Sequence, residues 1–192
     1  MSSFDPTSIT ETRRGPSPMM WLSIGLGVAM ATVLIVIVSL LTGGAANATF
    51  TPESLNGTKI PALNLPGLSA GTVNGPWTSG HPAVVVFYAS WCQPCNEELP
   101  RVATWEKTHD LGRVRFIGID SNDERSKGLA FSRKARVAFP SGFDANGTQT
   151  SGTFQFAALP DTVFINSRGV VQETVIGAVS NEQLSVGVSE LN

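Results

Sequence analysis

Cysteine is nearly absent from this chain: its 192 residues include two, both in the run Cys92-Gln93-Pro94-Cys95. A multi-disulfide framework and a four-cysteine zinc site are thereby excluded. Charge is sparse too, with 15% Asp, Glu, Lys and Arg where soluble domains average roughly 25%. The basic residues are scattered and the formal net charge is −2, so the clustered Lys/Arg stripe that phosphate binding requires is missing and nucleic acid is not an expected partner. Histidine occurs only as His81 and His109, with no ligand spacing between them. Each reads as a surface or packing residue, and neither a metal nor a cofactor is expected.

The chain is long enough for one globular domain plus an appended segment. The low charge content has a local origin. Residues 20–41 carry no charged side chain, and at about 1.5 Å per helical residue they can cross a hydrocarbon core of ~30 Å. They are expected to form a transmembrane anchor. The competing reading is a cleaved secretory signal, which Ala46-Asn47-Ala48 would suit, although the apolar region of such signals runs only about 7–15 residues. Arg13 and Arg14 precede the run, while Thr42 to Asn47 carry no positive charge, so the positive-inside rule puts the N-terminus in the cytoplasm and the remainder outside. The arginine pair reads as a topology determinant and not as a twin-arginine export signal. These features divide the chain into a cytoplasmic tail (1–19), an anchor (20–41), a linker (42–58) and a folded domain (59–192).

Within that domain, Ala83 to Tyr88 is a continuous apolar run rich in β-branched and aromatic residues, the pattern of a strand buried on both faces. Leu99, Val102 and Trp105 recur at helical spacing among charged residues, which predicts an amphipathic helix from Cys92 to about His109. Val114–Ile119 reads as a strand and Asp123–Val137 as a helix. This strand–helix alternation implies parallel strands joined by right-handed crossovers. Asp161–Ile165 and Val170–Val175, separated by the turn-forming Asn166-Ser167-Arg168-Gly169, predict a β-hairpin. A last helix spans about Asn181 to Leu191.

A Cys-x-x-Cys pair that follows a buried strand and opens a helix has specific chemistry. Unpaired amides and the helix dipole at that end favour thiolate over thiol, so Cys92 is the expected nucleophile. Cys95, three residues further along the helix, is placed to attack a mixed disulfide formed by Cys92 and is the expected resolving thiol. As a structural staple the pair would be poor, because closing so short a loop stabilises little. Haem attachment would require histidine after the second cysteine, and position 96 is Asn.

The segment Phe87-Tyr88-Ala89-Ser90-Trp91-Cys92-Gln93-Pro94-Cys95 resembles the active-site strand and turn of thioredoxin-like proteins, most closely the TlpA/ResA/DsbE-like branch. Glu98 and Pro100 extend the match, as do Phe139-Pro140, Asp144-Ala145-Asn146-Gly147 and Leu159 to Gly169. The resemblance implies an α/β thioredoxin-like fold, a central mixed sheet flanked by helices, behind the single N-terminal transmembrane helix. It implies that Pro160 is a cis-proline facing the cysteines, with the Leu159 backbone available to an extended substrate. Trp91 would shield the disulfide and contact substrate, or else pack in the core. Pro94 would fix the first helical turn, and Pro100 would kink the helix. One departure is Val86, which stands where many thioredoxins bury an aspartate. Glu98, one turn beyond Cys95, either substitutes for that proton acceptor or is a solvated helix charge.

The resemblance further implies thiol–disulfide exchange on exported proteins, as reductant, with apocytochrome c during c-type cytochrome maturation the expected substrate and a membrane thiol-redox carrier the expected partner. The alternative is a disulfide-forming oxidase of the same fold. A thiol peroxidase is disfavoured because Ala89 stands where its threonine would lie. A copper carrier is disfavoured by the cysteine spacing and the lack of a nearby histidine.

Overall fold

The structure, a computed structural model, describes Val33 and residues 55–155 and 158–192. The expected anchor over 20–41, apart from Val33, and the tail over 1–19 lie outside the described residues. So does most of the expected linker. Among the described residues no helix is long and apolar enough to cross a membrane. The chain divides into units Met1–Phe50 and Thr51–Asn192, and every element below belongs to the second.

In chain order the elements are β1 (Asn64–Pro66), β2 (Thr72–Asn74), a 3-10 turn (Pro76–Ser79), β3 (Ala83–Tyr88), α1 (Cys95–Thr108), β4 (Arg115–Ser121) and α2 (Arg125–Lys134). They continue with β5 (Ser141–Asp144), α3 (Thr148–Phe154), β6 (Asp161–Ile165), β7 (Val171–Ile176) and α4 (Asn181–Leu191). The main sheet has the order β5-β4-β3-β6-β7. Strand β3 runs parallel to β4 and antiparallel to β6, and β4 runs parallel to β5. The mixed sheet, the buried central strand and the β6–β7 hairpin therefore match the sequence reading.

Strand β3 is wholly apolar because it is covered on both faces. Val84, Val86 and Tyr88 join a core under α1, α2 and α4, while Ala83, Val85 and Phe87 join a second core with Leu65, Trp77 and Phe154. Helix α1 buries the stripe Leu99, Val102 and Trp105 against the first core, each such side chain contributing about 1.5–3 kcal/mol. Glu97 lies in its first turn and Lys107 in its last, matching the helix dipole. Helix α4 begins at a capping box in which Ser180 and Gln183 each accept from the other's backbone amide.

The elements depart from the sequence reading at several points, among them β4, which runs on to Ser121, and β7, which ends at Ile176. Helix α1 starts at Cys95, because Cys92 occupies the turn ahead of it. Helix α2 is shorter than 123–137: the Asp123 carboxylate takes the Glu124 amide before the helix begins, and Arg136 adopts a left-handed φ of 59° after it ends. Strand β5 and helix α3 had no clear pattern, being short and rich in Ser, Gly and Thr. The linker expected to reach residue 58 already belongs to the fold at its end, since Leu55 is buried and the Gly57 amide donates to the Val171 carbonyl.

Packing between α4 and the sheet rests on a glycine. A Cβ on Gly187 would lie 2.3 Å from a ring carbon of the buried Phe164. Gly187→Ala gains up to ~1 kcal/mol of helix propensity, while overpacking a core costs typically ~1–3 kcal/mol. A net loss of stability is expected, read as a lower urea midpoint. A raised midpoint would show that α4 sits further from the sheet than described.

Candidate active site

The end of β3 delivers the chain into the turn Ala89–Pro94, and the two cysteines are joined there as a disulfide with Cα atoms 5.3 Å apart. The turn is closed by the Cys92 amide donating to the Ala89 carbonyl at 3.1 Å. Pro94 takes the N-cap position of α1 with φ −64°, an angle its ring already favours. The first amide of the helix, that of Cys95, donates to the Cys92 sulfur at 3.2 Å. An unpaired helix amide aimed at sulfur stabilises negative charge there, the physical basis for a depressed thiol pKa at this position. Cys95 is fully buried and Cys92 retains 3% exposure, so what access exists is to Cys92.

Trp91 does not pack in the core: it is 59% exposed, and its indole N–H donates to the Asn122 carbonyl at 2.7 Å. The ring stands as a fixed wall beside the disulfide turn. On one side it borders a cavity of about 230 Å³ that also takes in Ser121, Asn146, Ser151 and Leu159. Leu159 is half-buried against the core that holds both cysteines, and the Leu159–Pro160 bond is cis, as the resemblance implied.

Glu98 is not a solvated charge. It is 1% exposed, its Oε1 accepts from the Val179 amide at 2.7 Å, and its Oε2 meets no donor. Burial pushes its carboxyl up to about 7, partly opposed by the Val179 amide and by Arg101. Val86 is buried and apolar, so no carboxylate hangs from β3 beneath the pair. Asp161, immediately after Pro160, is buried with one oxygen unpartnered and raised to about 7, first by burial and further by Glu98. The sequence reading missed Asp161; its signal was an acid as the first residue of an otherwise apolar strand. It also missed Asp120, wholly buried on β4 and raised to about 8 by burial and by Asp123. His109 stacks on Trp105 with ring centroids 4.3 Å apart, a packing role.

A disulfide-forming cysteine pair at the mouth of a helix, on a mixed sheet with a cis-proline directly before β6, defines a thioredoxin-like thiol–disulfide oxidoreductase. Residues 56–174 match the AhpC/TSA family, and the chain belongs to it. It is similar to sporulation thiol-disulfide oxidoreductase A of Bacillus subtilis (strain 168), at 25% identity over 68% of this chain and 81% of that protein. It is also similar to the thiol:disulfide interchange protein DsbE of Pseudomonas fluorescens biotype C, at 28% identity over 83% of this chain and 86% of the relative. Among solved structures it resembles a secreted Mycobacterium tuberculosis disulfide oxidoreductase homologous to E. coli DsbE, with TM-score 0.59, 26% identity, and coverage of 67% of this chain and 96% of that one.

The buried carboxyls set a pH dependence of stability. Glu98, Asp161 and Asp120 each hold a proton more tightly when folded than their ordinary values of 4.5, 3.8 and 3.8 allow. Stability from these groups is therefore fully present below those ordinary values and is lost as pH rises through about 7 to about 8. The melting temperature of the oxidised protein is expected to fall across that window. Glu98→Gln should flatten part of the slope. A melting temperature that rises over the same range would contradict the protonated assignment.

Proposed function

We propose that this protein reduces disulfides in exported proteins from the outer side of a membrane, held there by residues 20–41. The observation that carries the reading is the Cys95 amide directed at the Cys92 sulfur at the start of α1, which favours Cys92 as the attacking thiolate. In the forward direction the Cys92 thiolate attacks a substrate disulfide. A mixed disulfide forms, and the departing substrate sulfur leaves as thiolate and takes a proton. Cys95 then loses its proton, for which the ionised form of Glu98, one helical turn beyond it, is the acceptor we assign, and attacks the Cys92 sulfur. The second substrate thiol is released and the Cys92–Cys95 disulfide remains, having given up two electrons.

The remaining assignments follow from the same site. The cis-proline segment offers the Leu159 backbone to an extended substrate, and Trp91 contacts the residues flanking its cysteine. With two cysteines in all, the protein depends on an outside dithiol to return to the reduced state, and a membrane thiol carrier fits an anchored enzyme. The charge asymmetry around residues 20–41 supports an external domain, and the M. tuberculosis structural neighbour is itself secreted. Reduction of an apocytochrome c disulfide to the two thiols that haem attachment needs is the pathway the DsbE-like resemblance favours.

Two measurements test this reading. Cys95→Ser is expected to accumulate a mixed disulfide through Cys92, and Cys92→Ser to accumulate little; equal trapping would remove the division of roles. Equilibration of the full chain against glutathione or dithiothreitol is expected to give a potential well below the ~−180 mV of disulfide isomerases. A value near ~−120 mV, with oxidative refolding of a reduced test protein, would make it an oxidase.

A further inference from the structure

Two consecutive residues of the cysteine turn are tied to two consecutive residues of the β4–α2 connection. Ser90 donates its amide to Asp123 Oδ2 and its hydroxyl to Asp123 Oδ1, the latter at 2.8 Å. Trp91 donates its indole N–H to the Asn122 carbonyl at 2.7 Å. Asn122 makes this possible by adopting a left-handed φ of 53°, which asparagine tolerates better than most residues. Its amide is fixed in turn on the Asp144 carbonyl at 2.9 Å. The residue before Cys92 and the one before that are thus held from outside their own element.

Asp120 lies just beneath this clamp, at the end of β4. It is wholly buried, and neither of its oxygens meets a donor. Helix α2 crosses directly over it at a glycine: a Cβ on Gly128 would lie 1.7 Å from Asp120 Oδ2. The groups that face it are Tyr88, its register partner on β3, whose hydroxyl burial keeps protonated; Phe143 on β5; Arg125 at the start of α2; and Asp123. Arg125 is engaged elsewhere, donating to the carbonyls of Gly67 and Leu68 and lying 4.3 Å over the Phe143 ring. Lys127 pairs with Glu124 at 2.8 Å on the exposed side. After burial, the neighbour that raises Asp120 most is the carboxyl of Asp123, three residues on, and Arg125 opposes it.

Two carboxyls in contact cannot both ionise cheaply, and one proton between them resolves the conflict. Asp123 accepts three donors, the Ser90 amide and hydroxyl and the Glu124 amide, so the negative charge belongs there. Asp120 accepts none, so the proton belongs to it. We propose that Asp123 is the positioning residue of the cysteine turn and that Asp120, through the proton it donates to Asp123, makes this hold depend on pH. With Asp120 protonated, its O–H completes the donor set around Asp123 and the turn is held. When the proton passes to solvent base, two anions face one another, Asp123 is driven from Ser90, and the turn carrying Trp91 and Cys92 loosens.

The catalytic consequence rests on the exchange reaction proposed above, but the latch can be observed without it. In the full chain, labelled with ¹⁵N and kept oxidised so that neither cysteine titrates, the Trp91 indole N–H resonance is assigned through Trp91→Phe and followed with pH. It is expected to move with a midpoint near 8, the value to which Asp120 is raised. It should stay flat in Asp120→Asn, whose amide donates to Asp123 at every pH. A flat wild-type profile, or the same step in Asp120→Asn, overturns the latch. In the reduced chain, Asp123→Asn is expected to slow disulfide exchange by about tenfold or more, the scale of losses from a misplaced reacting group. Exchange at the wild-type rate in that variant would overturn its positioning role. An indole titration without any disulfide exchange by the wild-type chain would leave the latch standing and remove the function.

Discussion

Strand β3 is hydrogen-bonded along both edges and covered on both faces, and the active site depends on that immobility. Its register against β4 and β6 fixes where Tyr88 ends, hence where Ala89–Cys95 begins. The same register sets Asp120 beside Tyr88 and Asp161 beside Phe87, so three elements converge at one end of the sheet. Helix α1 then starts at Cys95, with its leading amide on sulfur, after a turn held by hydrogen bonds to Ala89, Asn122 and Asp123.

Around this rigid turn the protein places acids in apolar surroundings. A buried carboxyl that meets few donors keeps its proton to higher pH, which makes it a group able to take or give a proton near neutrality. Glu98 adds to the cost of ionising Asp161. Burying such groups costs stability, offset at Glu98 by the hydrogen bond it accepts from the Val179 amide.

The backbone architecture was largely legible because its strongest elements have unambiguous periods: the apolar run of β3, the helical stripe of α1 and the Asn166–Gly169 turn each admit one interpretation. The cysteine pair and Pro160 were legible through motif. What the sequence concealed were side chains whose meaning depends on burial. Glu98 looks the same in a helix whether it faces water or Val179, and only the position of the α4 cap decides. Asp120, Asn122 and Asp123 read as part of an ordinary polar loop, because nothing local shows that Ser90 and Trp91 come to rest against them. Trp91 was ambiguous for the converse reason: a large aromatic ring beside a core strand is usually inside, and a single indole hydrogen bond holds this one out.

The way the chain enters the domain has a mechanical consequence. Residues 57–60 pair with Gly169–Val171, at the end of the sheet where β6 turns into β7, opposite the end that carries Cys92 and Asp161. A force arriving along the chain from upstream of Leu55 therefore loads the Gly57–Val171 hydrogen bond first and the bridge between Lys59 and Val170 after it. That edge can peel, exposing Leu55 and Ile60, while the ladder between β3 and β6 still stands. The attachment point is thus a sacrificial seam, and the disulfide turn sits at the pole that tension reaches last.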